Sequence, residues 1–264
     1  MTERRTIEST LASGAADPGA VDYRPTAVMP DVKVLKIGGQ SVLDRGRAAV
    51  FPILDEIVEA RRLGIQVVVL AGGGTRARHI YSIASELEMP TGVIATLGKY
   101  IPMQNARMLQ MLLAKHGGLF MLPDDFEKLP LYLQMGCIPV MSGMPPFGYW
   151  EKRAEGSRIP PHRTDAGVFL SCEFLGARRA IYIKDEDGLY TDDPKKNPAA
   201  THIKSITAAE LVARHLPDVV IERVVIDYLP RAQWCKELQI VNGLKPGQVL
   251  AALKGEDVGS IIRA

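Results

Sequence analysis

The sequence predicts an α/β fold built around a parallel sheet. Two apolar stretches, Val32–Ile37 and Ile65–Ala71, each run into glycines, and an amphipathic helical pattern lies between them. A strand, a helix and a second strand in this order form a parallel crossover unit. The two glycine runs therefore mark strand ends that meet at the carboxyl edge of one sheet.

The first glycine run carries the features of a phosphate site. Lys36 stands near the end of the strand, and Gly38 and Gly39 follow it. Glycines have no Cβ to keep the backbone away from a bulky anion, and the lysine adds a positive charge. The second run, Gly72–Gly74, is followed by Arg76. The two ends together predict a cationic cleft lined with backbone N–H groups.

Composition narrows the class of protein. The 264 residues are 47% hydrophobic, which allows a large core, and the formal net charge of +2 does not indicate a nucleic acid or an acidic membrane as partner.

The three cysteines, Cys137, Cys172 and Cys235, have no CxxC spacing and predict buried thiols in a reducing compartment. No apolar run approaches the ~18 residues of a membrane span, and no signal-peptide core follows Arg4 and Arg5. We therefore expect a cytoplasmic chain.

The domain is expected to span residues 31–264. Residues 1–30 show no sustained periodicity and are predicted to form an extension that is flexible or wraps a neighbour. Two further capping signals follow, Thr164-Asp165 before a helix that ends at Gly176, and a capping box of Thr207 and Glu210. Further helices are predicted at 50–63, 75–89, 105–116, 227–237 and 248–253, and further strands at 93–97, 119–122, 137–141, 180–183, 224–226, 238–241 and 260–263.

The stretch from Ser142 to Arg163 breaks the pattern. It contains two Pro-Pro pairs, three glycines, two neighbouring aromatic residues and several charges. A loop of this length inside a compact domain usually has a function. We therefore interpret residues 142–163 as a functional insertion.

The segment from Lys184 to Pro194 predicts a second part of the site. Lys184 ends a strand, Asp187-Gly188 forms a turn, Tyr190 offers a flat ring, and Asp193-Pro194 closes the loop. A lysine with several carboxylates indicates a nucleotide with Mg²⁺, which prefers oxygen ligands. A solvated acidic turn is the alternative.

Two other nucleotide-binding motifs find weak support or none in the sequence. Residues 72–77 satisfy G-x-G-x-x-A, but they follow the second strand, and the expected strand at 93–97 has no acidic residue at its end for a ribose. A tight turn without a ligand is also compatible with them. No P-loop motif occurs, so a P-loop kinase is excluded.

Four motifs in this order resemble the amino acid kinase superfamily, with a layout most similar to bacterial uridylate kinase. They are Lys36-Ile37-Gly38-Gly39, Gly72-Gly73-Gly74, Thr164-Asp165-Ala166 and the segment Lys184–Pro194. The resemblance implies a three-layer α/β/α sandwich with a mostly parallel central sheet, which binds ATP without a P-loop. It implies that Lys36 and Lys184 hold the transferring phosphates and that Asp165 orients the lysines. The implied cofactor-binding residues are Gly38, Gly39, Gly72, Gly73, Gly74, Arg76, Asp187, Gly188, Tyr190, Asp193 and Pro194.

The chain departs from uridylate kinases on the acceptor side. Residues 97–104 lack the acidic residue that such kinases use for the acceptor ribose, and the 142–163 insertion replaces a short link. This combination resembles the molybdenum storage proteins, relatives of uridylate kinase. The resemblance is carried by residues 36–42, 44–48, 76–79, 142–146, 159–165 and 239–244.

That resemblance implies a subunit of a closed hexamer of related chains, either homomeric or heteromeric. ATP and Mg²⁺ would occupy the nucleotide cleft, with Glu186 as a Mg²⁺ ligand, and ATP hydrolysis would drive accumulation of molybdate or tungstate as polyoxometalate clusters. His162 and Gln134 are the candidate cluster ligands, and an ordinary packing or surface role is the alternative for both. Two other functions stay open: a uridylate kinase-like enzyme acting on UMP or a related acceptor, and a regulatory nucleotide-binding protein without turnover.

Overall fold

The computed structural model describes residues 26–216 and 219–264, so most of the predicted N-terminal extension lies outside the described residues. In the described part, ten strands form an eight-stranded sheet and a small hairpin. The strands are β1 (Lys33–Ile37), β2 (Val67–Ala71), β3 (Gly118–Phe120), β4 (Ile138–Ser142), β5 (Arg179–Lys184), β6 (Leu189–Tyr190), β7 (His202–Ile203), β8 (Ser205–Thr207), β9 (Glu237–Asn242) and β10 (Ser260–Arg263).

Helices cover both faces of this sheet. In the described residues they are α1 (Arg47–Arg62), α2 (Gly74–Glu86), α3 (Thr91–Leu113), α4 (Leu129–Gln134), α5 (Thr164–Leu175), α6 (Ala208–Ala213), α7 (Arg223–Tyr228) and α8 (Gln248–Leu253). Short 3-10 turns lie at residues 43–45, 114–116, 123–128, 148–150 and 229–231. The predicted capping box is present, because Thr207 Oγ1 accepts from Glu210 N and the Glu210 carboxylate accepts from Thr207 N.

The sheet is mostly parallel and has β1 near its centre. The strand order is β3-β4-β2-β1-β5-β9-β10-β8, and only β9 and β10 pair antiparallel. Lys36 of β1 is in register with Leu70 of β2 and Tyr182 of β5. The carboxyl ends of β1, β2, β4 and β5 therefore meet at one edge, which is where ligands bind in open α/β sheets.

Two hydrophobic clusters lie on opposite faces of the sheet. Val34 belongs to the cluster that contains α5 and α7, whereas Leu35 and Ile37 belong to the cluster that contains α1 and α8. Side chains alternate across a strand, so Lys36 is on the same face as Val34 and is directed toward α5. The structure thus confirms the predicted three-layer sandwich with a mostly parallel sheet.

Two predicted strands are wrong. Residues 93–97 lie in α3, whose buried residues Ile94, Gly98, Pro102 and Ala106 repeat every four positions and form one helix face. Residues 224–226 lie in α7 and pack into the cluster around α5. Short apolar runs fit both helix and strand, and packing decides between them.

Two helix predictions also need correction. The predicted helix at 227–237 is replaced by the end of α7, a 3-10 turn and the approach to β9. The apolar spacing in α2 predicts a buried face of Ile80, Ile83, Ala84 and Leu87. The structure buries Ala84 together with Ala77 and Tyr81 and leaves Ile83 and Leu87 exposed. Little space is left between α2 and α3, because the two helices pack closely. A Cβ on Gly98 of α3 would overlap the Tyr81 ring of α2. No helix in the described ranges is long and apolar enough to span a bilayer.

The close approach of the two glycine loops leads to a prediction about stability. A Cβ at Gly39 would overlap the backbone of Gly74, so Gly39→Ala should lower the free energy of unfolding by about 2 kcal/mol or more through steric overlap. Urea unfolding measures this change. Gly64→Ala is the control: its φ is +81°, nothing lies within 4 Å of its Cβ, and we expect only the conformational cost of about 1 kcal/mol. Equal losses in the two variants would contradict the packing explanation.

Candidate functional site

A large cavity lies at the carboxyl edge of the sheet. Its volume is about 1190 Å³, and it is bounded by the loops after β1 and β2, the end of β5, the 154–161 part of the insertion and the segment 219–224. Ligand pockets usually have volumes of about 300–1,000 Å³. The cavity is therefore large enough for a nucleotide with a further ligand beside it.

The floor of the cavity is formed by the two glycine loops. Gly38, Gly39, Gly73 and Gly74 line it, whereas Gly72 lies behind them and donates its N–H to Ile37 O at 2.9 Å. The Gly38 N–H is also used within the fold, by Ile183 O at 3.2 Å. The N–H groups of Gly38 and Gly72 are therefore used within the fold. These two glycines contribute to the site by allowing the backbones of the two loops to pack closely against each other.

Two side chains hold these loops in place. The Asn105 amide donates to Gly72 O at 2.6 Å and to Gly73 O at 3.3 Å, and Asp44 Oδ2 accepts from Thr75 N at 2.7 Å. Asp44 therefore stabilises the first turn of α2. Arg76, which was predicted to bind the cofactor, instead helps to hold Asn105. Its guanidinium group donates to Asn105 Oδ1 and to Gln104 Oε1. Arg76 is not among the residues that line the cavity.

Lys36, Asp165 and Lys184 come together at the centre of the cavity. Lys36 Nζ lies 2.5 Å from Asp165 Oδ1, and Lys184 Nζ lies 3.8 Å from Asp165 Oδ2. Lys36 and Asp165 are each only 5% exposed. Burial alone would raise the pKa of Asp165, but the ammonium groups of Lys184 and Lys36 outweigh burial and lower this pKa to about 2. The carboxylate therefore stays charged and holds two cations together beside the glycine loops.

Glu222 is the residue of this site that the sequence did not predict. Its carboxylate accepts from Arg163 N at 2.9 Å, Asp165 N at 3.1 Å and Ala166 N at 3.1 Å, and so caps the amino end of α5. In return, Glu222 N donates to Asp165 Oδ2 at 3.2 Å. Burial and the charge of Asp165 raise the pKa of Glu222. The expected cap by Thr164 or Asp165 is wrong, because both residues lie inside the first turn of α5.

The walls of the cavity are cationic. Six basic side chains line it in addition to the two central lysines: Arg45, Arg78, Arg163, Lys195, Lys196 and Arg223. Asp185 is paired with Arg45 and, at 2.7 Å, with Lys195. Partial burial would raise the pKa of Asp185, but the hydrogen bond and the charge of Lys195, together with hydrogen bonds from the backbone and from Arg45, outweigh burial and lower this pKa. The result is a positive field suited to a polyanion.

The expected cofactor-binding residues of the Lys184–Pro194 segment lie in a turn and hairpin beside the cavity. Asp187 accepts from Asn242 Nδ2 at 2.9 Å and from Lys245 Nζ at 2.7 Å. Gly188 has a φ of +145° and leaves no space for a Cβ next to Ser260. The Tyr190 ring lies 5.3 Å from His202. Among the predicted residues of this segment, Lys184 and Asp193 line the cavity itself, and Asp187, Gly188, Tyr190 and Pro194 do not.

The predicted metal and cluster residues lie away from the centre of the cavity. Glu186 pairs with Lys195 at 3.2 Å. His162 is buried, with Nδ1 2.8 Å from Glu151 Oε1 and Nε2 2.5 Å from Tyr228 OH. Gln134 is exposed at the end of α4, before β4 begins, and so lies at the opposite edge of the sheet. A cluster role for His162 stays a prediction that requires one of its hydrogen bonds to open.

No group of three His, Cys, Asp or Glu side chains is arranged to hold a metal ion in residues 26–216 and 219–264. Apart from Asp165 and Glu222, the carboxylates that line the cavity are those of Asp185 and Asp193, and Glu186 shares the ammonium group of Lys195 with Asp185. A bare transition-metal site is therefore not formed here. One or two carboxylates that share a cation with phosphate oxygens are compatible with Mg²⁺.

Comparisons with known proteins agree with this geometry. Residues 31–218 match the model of the Amino acid kinase family. The chain is 49% identical to molybdenum storage protein subunit beta of Azotobacter vinelandii (strain DJ / ATCC BAA-1303), over 100% of this chain and 96% of that protein. It is 35% identical to the uridylate kinase of Pyrococcus abyssi (strain GE5 / Orsay) over 56% of this chain and 59% of that protein.

The solved structures give the same result for the fold. The crystal structure of uridylate kinase from Archaeoglobus fulgidus superposes with a TM-score of 0.64 at 26% identity, and the match covers 87% of this chain and 99% of that one. The similarity therefore extends beyond the glycine loops to nearly the whole sandwich.

The lowered pKa of Asp165 leads to a prediction about pH. Its pKa is below the ordinary value of 3.8, so its charge stabilises the fold above about pH 4, and this contribution is lost as the pH falls toward 2. Asp165→Asn should lower the free energy of unfolding near neutral pH by about 3 kcal/mol or more, because two lysines lose their shared counter-charge. Urea unfolding at several pH values should show this deficit shrink by about 1 kcal/mol at about pH 3.

The control for this experiment is Asp124→Asn, which changes a carboxylate outside the cavity lining. Its stability should stay within about 0.5 kcal/mol of the unchanged protein at every pH. A deficit for Asp165→Asn that does not depend on pH would contradict the electrostatic explanation.

Proposed function

Because the chain belongs to the amino acid kinase family and is a relative of molybdenum storage protein subunit beta, we propose that it is an ATP-binding subunit that stores molybdate or tungstate. ATP hydrolysis drives the loading of the oxoanions, which accumulate as polyoxometalate clusters inside an oligomeric cage. The observation that carries this proposal is the buried group of Lys36, Asp165 and Lys184 beside the glycine loops.

This group has the charge distribution that a triphosphate requires. The two ammonium groups neutralise phosphate oxygens, and the Asp165 carboxylate pairs with both of them and holds them in place. In phosphoryl transfer, positioning and charge neutralisation supply most of the catalysis. Backbone N–H groups of the glycine loops add donors without side chains in the way. Lys36, Lys184 and Asp165 are thus the proposed catalytic residues.

The residues at the edge of the cavity fit Mg²⁺ in its usual role with nucleotides. One or two of Asp185, Glu186 and Asp193 would supply hard oxygen ligands, and the remaining ligands would be phosphate oxygens and water. When bound, Mg²⁺ supplies charge neutralisation on the phosphates. Lys195 pairs with both Asp185 and Glu186, so it is the side chain that has to move for the ion to bind.

The proposal that the stored ligand is molybdate or tungstate rests on the charge of the cavity and on the similarity to molybdenum storage protein subunit beta. Molybdate and tungstate are tetrahedral dianions, and the cationic walls suit them. The name of this relative describes it as a subunit, which indicates an assembly of several chains. We propose that this chain forms a homo- or heterohexamer. The three cysteines in the structure are free thiols, in agreement with a reducing, cytoplasmic location. His162 and Gln134 remain proposed cluster ligands, and Gln134 would contact a cluster outside the main cavity, because it lies at the opposite edge of the sheet.

A uridylate kinase-like activity is the second candidate, because the fold similarity covers 99% of an archaeal uridylate kinase. The acceptor side differs from the expected pattern of such kinases. Gly98 and Lys99 lie in α3 where an acidic residue is expected, and the Tyr81 ring packs against Gly98. This difference favours storage over phosphorylation of a nucleoside monophosphate.

Molybdenum loading tests the proposal directly. The protein is incubated with ATP, Mg²⁺ and molybdate, free anion is removed, and bound Mo is measured by elemental analysis. We expect several Mo atoms per chain with ATP and far fewer when the ATP is omitted. Less than one Mo per chain would contradict storage, and formation of UDP from UMP would support the kinase instead.

Lys36→Ala tests the centre of the site. Loss of a buried charge-assisted contact to phosphate should weaken ATP binding by about tenfold to a hundredfold, measured by calorimetric titration. Lys33→Ala is the matched control, because Lys33 begins the same strand and does not line the cavity. ATP binding and turnover that are unchanged in Lys36→Ala would remove Lys36 from the site.

A further inference from the structure

A reciprocal pair of hydrogen bonds joins Glu222 to Asp165. Glu222 Oε1 accepts from Asp165 N at 3.1 Å, and Glu222 N donates to Asp165 Oδ2 at 3.2 Å. The first bond fixes the backbone of Asp165, and the second fixes the rotation of its side chain. The same Asp165 carboxylate lies 2.5 Å from Lys36 Nζ and 3.8 Å from Lys184 Nζ. The placement of both ammonium groups therefore depends on a carboxylate that Glu222 holds.

The Glu222 side chain is itself firmly held. It is only 9% exposed, and its Oε2 accepts from Arg163 N at 2.9 Å and from Ala166 N at 3.1 Å. The Arg163 guanidinium lies 3.6 Å from Oε1. A buried carboxylate is stable only when its hydrogen bonds are made, so these contacts leave it little freedom to move. Glu222 can thus serve as a rigid support for Asp165.

We propose that Glu222 is a positioning residue for phosphoryl transfer, which acts through Asp165 to hold the ammonium groups of Lys36 and Lys184 where phosphate charge develops. This inference rests on the proposed ATP-hydrolysing function and extends it to a residue outside the family motifs. A bound triphosphate tolerates a small displacement of a cation, whereas a displacement of about 1 Å can slow the chemical step by about a hundredfold. Glu222 is therefore expected to affect turnover more than affinity.

The alternative is that Glu222 only caps α5 and stabilises the fold. Glu173 provides a matched control near the other end of the same helix. Its carboxylate also accepts from three backbone N–H groups, those of Gln233, Trp234 and Cys235, and it does not line the cavity. In Glu222→Gln and in Glu173→Gln an NH₂ group replaces one oxygen and cannot accept from these donors. A purely structural role predicts similar effects in the two variants.

The first measurement uses the protein without nucleotide. Lysines are acylated with acetic anhydride for a limited time, and the modification of each lysine is read by peptide mass spectrometry. Only an unprotonated amine reacts, and a nearby carboxylate favours the protonated form. We expect Lys36 and Lys184 to react at least about threefold faster in Glu222→Gln, while Lys33 at the start of β1 reacts as before. Glu173→Gln should leave all three rates unchanged.

The second measurement is steady-state ATP hydrolysis with Mg²⁺. In Glu222→Gln we expect kcat to fall by about tenfold to a hundredfold, while KM for ATP stays within about threefold. Glu173→Gln should keep the kcat of the unchanged protein. Glu222→Asp retains the charge but is shorter by one methylene, so it should show a smaller loss in the same direction. If Glu222→Gln does not fold, Glu222→Asp carries the same comparison.

Unchanged acylation of Lys36 and Lys184 in Glu222→Gln would overturn the proposal, and so would an equal increase in Glu173→Gln. A change confined to KM would also contradict a positioning role. If the unchanged protein does not hydrolyse ATP, the proposed function fails. The acylation rates, which need no nucleotide, still decide in that case whether Glu222 holds the two lysines in place.

Discussion

The buried ion pair between Lys36 and Asp165 is the interaction on which the arrangement of the site depends. Two elements far apart in the chain, β1 and the amino end of α5, are brought into contact by it, and Lys184 of β5 joins from the neighbouring strand. Taking charges out of water is costly unless they are paired and hydrogen bonded. The fold offsets this cost because Glu222 N donates to the Asp165 carboxylate and Lys184 lies near it. The Tyr182 hydroxyl donates to the backbone carbonyl oxygen of Asp165 and so fixes its position.

The same constraint explains why the loops around the pair are so closely packed. Gly39 and Gly74 approach each other too closely for any side chain, and Asn105 holds the carbonyl groups of the second loop. The loops therefore keep their shape around the two lysines. Loop residues on a rigid scaffold of this kind are well suited to bind phosphate, because little order has to be gained on binding.

The insertion gives this member of the family a different acceptor side. Its end is joined to the 219–228 segment by the contact of His162 with Tyr228 and by the contact of Arg163 with Glu222. It covers the main cavity with Ile159, Pro160 and Pro161, and Arg158 joins it to α2.

The sequence by itself determined the strands β1, β2, β4, β5, β9 and β10, the glycine turns and the order of the phosphate-binding motifs. Val32–Ile37 and Ile65–Ala71 are apolar on both faces because both faces of the central strands are buried, and this pattern is local. Lys36, Lys184 and Asp165 were predicted together because each belongs to a motif of the family. Tertiary structure alone decided that residues 93–97 form helix rather than strand, since neighbouring packing selects between the two for a short apolar run. It also decided the roles of Glu222 and Arg158, whose partners lie 56–59 and 70–73 positions away along the chain, so no spacing within a motif could reveal them.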